Sequence, residues 1–159
     1  MIRLLVLSAA ASLALAAPAL ADSPRDFMVK AMRGDNSEMM LGRFAMQHAS
    51  SQAVRGYGRT LYVDHTKGKA EAVAVARSMG LAPNDEPMDV AKNEREKLSG
   101  LHGRAFDREF VRYMVHDHQE DIADFRKQAE VREGRVSAFA EKTLPVLHKH
   151  LDIALKLSR

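Results

Sequence analysis

The chain contains no cysteine, which excludes a disulfide framework, a thiolate metal site, an iron-sulfur cluster and a lipoprotein attachment residue, and leaves stability to a packed core. Beyond the first twenty residues no stretch approaches 18 consecutive apolar residues, so a transmembrane segment is not expected. Lysine and arginine never form the runs that track phosphates, which argues against nucleic acid as a partner. There is no serine-histidine-aspartate nucleophile pattern, no glycine-rich phosphate loop and no Cys-His pair, so hydrolase and nucleotide-binding readings have no support. Strand-like alternation is missing as well.

The N-terminus carries a secretory signal pattern. Arg3 supplies a basic start, Leu4 to Leu15 is an unbroken run of apolar and small residues, and Ala19-Leu20-Ala21 is a small-x-small cleavage site. Residues 1–21 are therefore expected to be removed, leaving one domain over 22–159 that is exported to the periplasm and stays there or associates with the outer membrane. Cleavage takes Arg3 from a chain whose formal charge is +3, so the mature protein is close to neutral. Its length of about 140 residues is enough to bury most of the surface an unfolded chain exposes.

Four helical stripes follow. Ser23-Pro24-Arg25-Asp26 reads as a helix opening, and Phe27, Ala31, Gly34, Glu38, Leu41, Ala45 and Ala49 recur at three or four residues. After Ser50-Ser51, a second helix over about 52–79 carries Val54, Gly58, Leu61, His65, Gly68, Ala72 and Val75, ending at Gly80 with Pro83 beyond. Residues 81–104 form a connector with a short helix over about 90–98. The third long helix, about 105–132, faces Phe106, Phe110, Met114, His118, Ile122, Phe125 and Ala129 one way. The fourth, about 135–157, has Val136, Phe139, Thr143, Leu147, His150, Ala154 and Leu157 on its stripe, and Pro145 within it predicts a kink or a restart. Together these predict an all-α protein, an antiparallel four-helix bundle with a short extra helix in the long connector.

Each stripe has one residue able to bind a metal where leucine would be expected: Glu38, His65, His118 and His150. At about 100° per residue, a seven-residue step returns to within about 20° of the same face, so each aligns with its apolar neighbours and points inward. Glu38 and His65 stand at similar distances from the turn at Ser51, about 20 Å, and His118 and His150 at about 23 Å from Gly134. All four therefore meet in one mid-bundle layer. Three imidazoles and a carboxylate suit a single ion of zinc, iron, copper or manganese. Asp121, one turn beyond His118 and about 60° from it, is expected as a fifth ligand or as acceptor for a histidine N–H, ahead of Asp64 at about 100° from His65. Gly34, Gly42, Gly58, Gly68 and Ala45 would leave room for an ion or entering ligand.

"YMVHDHQEDIADF", residues 113 to 125, divides accordingly: His118 and Asp121 line the core, while His116, Asp117, Glu120 and Asp124 form the wet face. His116, His48 and His102 face solvent, with His116 and Glu120 able to make a weak surface pair. A polar cluster that fixes helix register without metal competes with the metal reading, as does copper capture through Met39-Met40-x5-Met46-x-His48, where methionine is otherwise an ordinary core filler. The corresponding functional alternative is a metal-free envelope interaction or stress protein whose protein partner the sequence does not name.

Five segments in order, Glu38-x2-Leu41-Gly42-x2-Ala45, Val54-Arg55-x2-Gly58, Asp64-His65, Ala105-Phe106-Asp107-x2-Phe110-x3-Met114-Val115-x2-His118-Gln119 and Leu144-Pro145-x4-His150-Leu151, resemble the exported bacterial family called domain of unknown function 4142. The resemblance covers about Asp26 to Leu157. It implies a ferritin-like four-helix fold, often labelled a predicted outer membrane protein, with no established activity. The classical di-iron proteins of the wider ferritin-like group carry Glu-x-x-His on two helices. This chain has none; one core glutamate and three histidines match a single ion rather than a pair of irons, which weighs against ferroxidase or iron-storage activity.

Overall fold

The computed structural model describes residues 21–132 and 134–159. The expected signal segment lies outside the described residues except for Ala21, as does Glu133. Among the described residues there are five helices and no strand: α1 (Pro24–His48), α2 (Gln52–Ser78), α3 (Asp89–Ser99), α4 (Gly103–Glu130) and α5 (Gly134–Leu157). The all-α expectation holds. α5 runs unbroken through Pro145 rather than restarting near Leu144. No described helix is long and apolar enough to cross a membrane.

Local signals set the helix ends. Ser23 accepts the Asp26 N–H and Pro24 fills the first position of α1, where its missing donor costs nothing. Ser51 caps α2 through the Val54 N–H. Asp107, reaching across from α4, accepts from the Ser50 and Ser51 N–H groups and from the Ser50 hydroxyl at 2.6 to 2.8 Å, so a buried carboxylate on one hairpin ties down the turn of the other. α2 ends in a Schellman arrangement: Gly80 takes φ 72°, Leu81 N–H donates to Ala76 and Gly80 N–H to Arg77.

α1 packs on α2 and α4 on α5 as two hairpins, joined mainly where α2 meets α5. The apolar interior is in two parts. One contains Leu41, Ala45, Val54, Leu61, Phe106, Phe110, Met114 and Ala154; the other contains Phe27, Met32, Ala72, Ala76, Ile122, Phe125, Phe139 and Leu147. Along α1 and α5 the chain passes from the second part to the first, and along α2 and α4 from the first to the second. α2 therefore ends at one end of the molecule and α4 starts at the other, so the connector runs the length of the fold. It is strapped to α1 as it goes: Asn36 donates to the Asn84 carbonyl at 2.8 Å, Arg33 to that of Pro87 at 3.0 Å, and Met88 N–H to Ser37 Oγ at 2.9 Å.

The glycines serve packing more than access. A Cβ on Gly42 would stand 2.6 Å from the Gly58 carbonyl, and one on Gly58 equally close to that of Gly42, so this pair lets the α1 and α2 backbones touch. A Cβ on Gly68 would lie 2.9 Å from Asp35 Oδ1. Only Gly34 of the expected set borders open space.

Candidate metal centre

Between the two apolar halves lies a polar layer, and each long helix contributes to it the residue its stripe singles out. Glu38 and His65 are 2% and 6% exposed, and His118 and His150 are fully buried. The histidine ring centroids stand 5.1 Å (His65 to His150), 5.3 Å (His118 to His150) and 6.1 Å (His65 to His118) apart. One nitrogen from each ring lies within 4.8 Å of one from each of the others.

The hydrogen bonds sort the ring nitrogens into two classes. On each ring one nitrogen is engaged: His65 Nδ1–H donates to Asp35 Oδ1 at 2.8 Å, His118 Nδ1–H to the Met114 carbonyl at 3.0 Å, and His150 Nε2–H to Asp64 Oδ2 at 3.0 Å. The opposite nitrogens, His65 Nε2, His118 Nε2 and His150 Nδ1, are buried without a partner, as are both oxygens of Glu38. An unpaired polar atom in a core costs about 1 to 3 kcal/mol, so five together are poorly explained as structural glue. With one N–H fixed by an acceptor, the other nitrogen of a neutral imidazole carries the lone pair that metals use. The donor set fits a transition-metal ion.

Glu38 stands with Oε2 3.9 Å from His65 Nε2 and Oε1 3.8 Å from His118 Nδ1. Glu38 lies outside the close group of the three histidines and falls in a second one, with Asp117 and His118. Burial first, then the Asp117 charge, holds its carboxyl well above the usual range. Burial, reinforced by the neighbouring His65 and His150, holds His118 well below 6.5, and burial together with His65 brings His150 down to about 4. At neutral pH both rings keep their lone pairs. Partial burial alone would raise Asp64, but Lys149 and His150 outweigh it and leave that carboxyl below its ordinary value.

Asp121 departs from expectation. It is half-buried and belongs to neither close group; His118 gives its N–H to the Met114 carbonyl one turn back, which takes the acceptor role expected of Asp121 at that ring. It lines a cavity of about 20 Å3, no larger than a water molecule, with Asp35, His65 and Asp124. Burial and the charge of Asp117 hold its carboxyl well above the ordinary range. Asp64, ranked lower, is the residue that takes a histidine N–H, and it does so for His150 on another helix. Asp35, which sequence reasoning missed, sits three residues before Glu38 and is admitted against His65 by the absence of a side chain at Gly68.

The wet face also needs correction. His48, His102, His116 and Glu120 are exposed, and His116 and Glu120 face each other at 3.9 Å. Asp117 and Asp124 are only a quarter exposed: Asp117 turns toward Glu38 and His118, and Asp124 pairs with Lys30. Met28, Met32 and Met114 are fully buried core fillers, whereas Met39, Met40 and Met46 of the copper reading are only half-buried, and His48 stacks on Phe44 at 4.2 Å.

No curated protein and no solved structure matches the chain. The profile described as Domain of unknown function (DUF4142) matches residues 9–157, and these include the polar layer and the turns, caps and packed helices that build it. The chain belongs to that family.

Proposed function

We propose that the protein is an exported, ferritin-like helical bundle that binds a transition-metal ion through His65, His118, His150 and Glu38. The observation that carries this is the sorting of the ring nitrogens. Three histidines from three helices each fix one nitrogen on an acceptor and leave the other unpartnered in a common interior. A metal-free register cluster would be expected to pair those groups with one another.

The ferritin-like part rests on the course of the chain. Two helix hairpins joined by one connector that runs the length of the fold is the connectivity of that group. Export rests on the signal pattern over residues 1–21.

The protein's part is to present neutral imidazoles, aim them through Asp35, Asp64 and the Met114 carbonyl, and keep bulk water from the core. A bound ion would supply Lewis acidity or a redox couple according to its identity. Purified mature protein dialysed against zinc, ferrous iron, copper or manganese at pH 7.5 is expected to retain metal, with the retention lost on His118→Ala. A wild-type protein that holds none of the four rejects the proposal.

A further inference from the structure

The geometry points to a centre for two cations, the second held by the carboxylates of Glu38 and Asp117 beside the histidine set; this rests on the metal-binding reading above. Glu38 offers its two oxygens to two sides. Oε2 lies toward His65 Nε2 at 3.9 Å, on the histidine side, and Oε1 lies 3.8 Å from His118 Nδ1, the nitrogen on which Asp117 Oδ2 also closes at 4.0 Å. Ligand atoms of Glu38, Asp117 and His118 gather within 4.8 Å of one another. A carboxylate so placed can bridge two ions, which in two-metal sites lie about 3.5 to 4 Å apart; the single-ion expectation takes Asp117 as solvent-facing, and its inward turn supplies the second carboxylate.

The charge pattern agrees. Among the described residues neither Glu38 nor Asp117 has a lysine or arginine within ion-pair distance, whereas the nearby Asp64 holds Lys149 and Asp124 holds Lys30. No donor among the described residues reaches either Glu38 oxygen although the residue is only 2% exposed, and the polar group drawn up beside it is another carboxylate, Asp117. Two carboxylates without a cation, one deep in the core and one a quarter exposed at its edge, form a site that solvent oxygens can complete from the Asp117 side. His118 Nδ1–H is committed to the Met114 carbonyl, so the second position is oxygen-rich. Such ligands suit manganese or ferrous iron better than copper.

The test uses manganese as the probe. Metal-free mature protein is titrated with Mn2+ at pH 7.5, bound metal is counted after desalting, and the electron paramagnetic resonance spectrum is recorded; zinc retention is measured alongside. Wild type is expected to take two manganese ions with a spin-coupled spectrum. Asp117→Ala and the isosteric Asp117→Asn are each expected to take one, with the six-line spectrum of an isolated ion. Asp117 is partly exposed on a helix surface, and the Asn variant preserves its shape should the Ala variant fold poorly. A wild type that takes a single manganese, or Asp117 variants that still take two, overturns the second position and leaves the histidine set standing. A wild type that takes neither manganese nor zinc overturns both.

Discussion

Replacing Glu38 by glutamine keeps the shape of the side chain and removes its charge, which gives opposite consequences with and without metal. In the metal-free protein both carboxylate oxygens are buried and unpartnered, and burial and Asp117 hold the carboxyl well above its ordinary value. A carboxyl so raised contributes stability that is present below its unfolded value of about 4.5 and is lost as pH rises through the folded one. Ionisation of the carboxyl is therefore a burden on the metal-free fold. Relieving it should recover about 1 to 3 kcal/mol, the cost of an unsatisfied buried group. With an unfolding entropy of about 2.1 cal/mol/K per residue over about 140 residues, that corresponds to a rise in Tm of about 3 to 10 °C. With metal the order reverses. An ion at 100 times its Kd adds about 2.7 kcal/mol, or about 9 °C, to wild type, and a variant lacking the charged ligand should lose most of that gain. Calorimetry of both proteins with chelator and with zinc reads all four values. If metal-free Glu38→Gln melts below metal-free wild type, Glu38 is holding the helices together by its own hydrogen bonds and the account of its burial is wrong.

Other outcomes follow from the same contacts. Asp35→Ala removes the acceptor of His65 Nδ1–H and is expected to weaken metal affinity 10- to 100-fold; Gly68→Ala, whose Cβ would press on the Asp35 carboxylate, should move affinity the same way, as a competition titration with a chromophoric chelator will read. Asp107→Ala frees three donors at the α1–α2 turn and should cost about 2 to 3 kcal/mol in denaturant unfolding while metal content per folded molecule is unchanged. His118 and His150 are held below the ordinary imidazole value, His150 at about 4. The depressed His150 value contributes stability above pH 6.5 that is lost as pH falls through about 4, a total of about 3 kcal/mol in the metal-free protein. For the same reason metal release, followed by dialysis across a pH series, should have its midpoint below 6.5, and a midpoint above 7 would contradict the assignment of these rings as ligands.

The four inward residues could be read from the sequence because helical periodicity fixes direction and short turns fix height. Glu38 and His65 lie at matched distances from Ser51, as do His118 and His150 from Gly134, so no knowledge of the connector is needed to put them in one layer. What escaped depends on contacts between helices. Periodicity relates Asp64 only to His65 on its own helix, yet its partner is His150 on α5. Asp35 lies off the α1 stripe and gains its place because α2 presents a glycine there. Asp117 looks solvent-facing at about 100° from His118, but it is turned far enough inward to reach Glu38. The course of the connector is set by hydrogen bonds between the side chains of Arg33, Asn36 and Ser37, the first two donating and Ser37 accepting, and backbone groups about fifty residues away, and periodicity carries no trace of such bonds. The glycines illustrate the same limit: Gly42 and Gly58 look like room for a ligand in one dimension and prove to be the contact between two backbones.

The claim on which the account rests is that His65, His118 and His150 hold a metal. Elemental analysis of the purified mature protein, after equilibration with zinc and removal of free ion, addresses it most directly, with His65→Ala, His118→Ala and His150→Ala measured beside it. Wild type is expected to carry at least one zinc per chain and each variant to lose it while keeping its helical circular dichroism. Zinc-free wild type, or variants that bind as wild type does, would contradict the account.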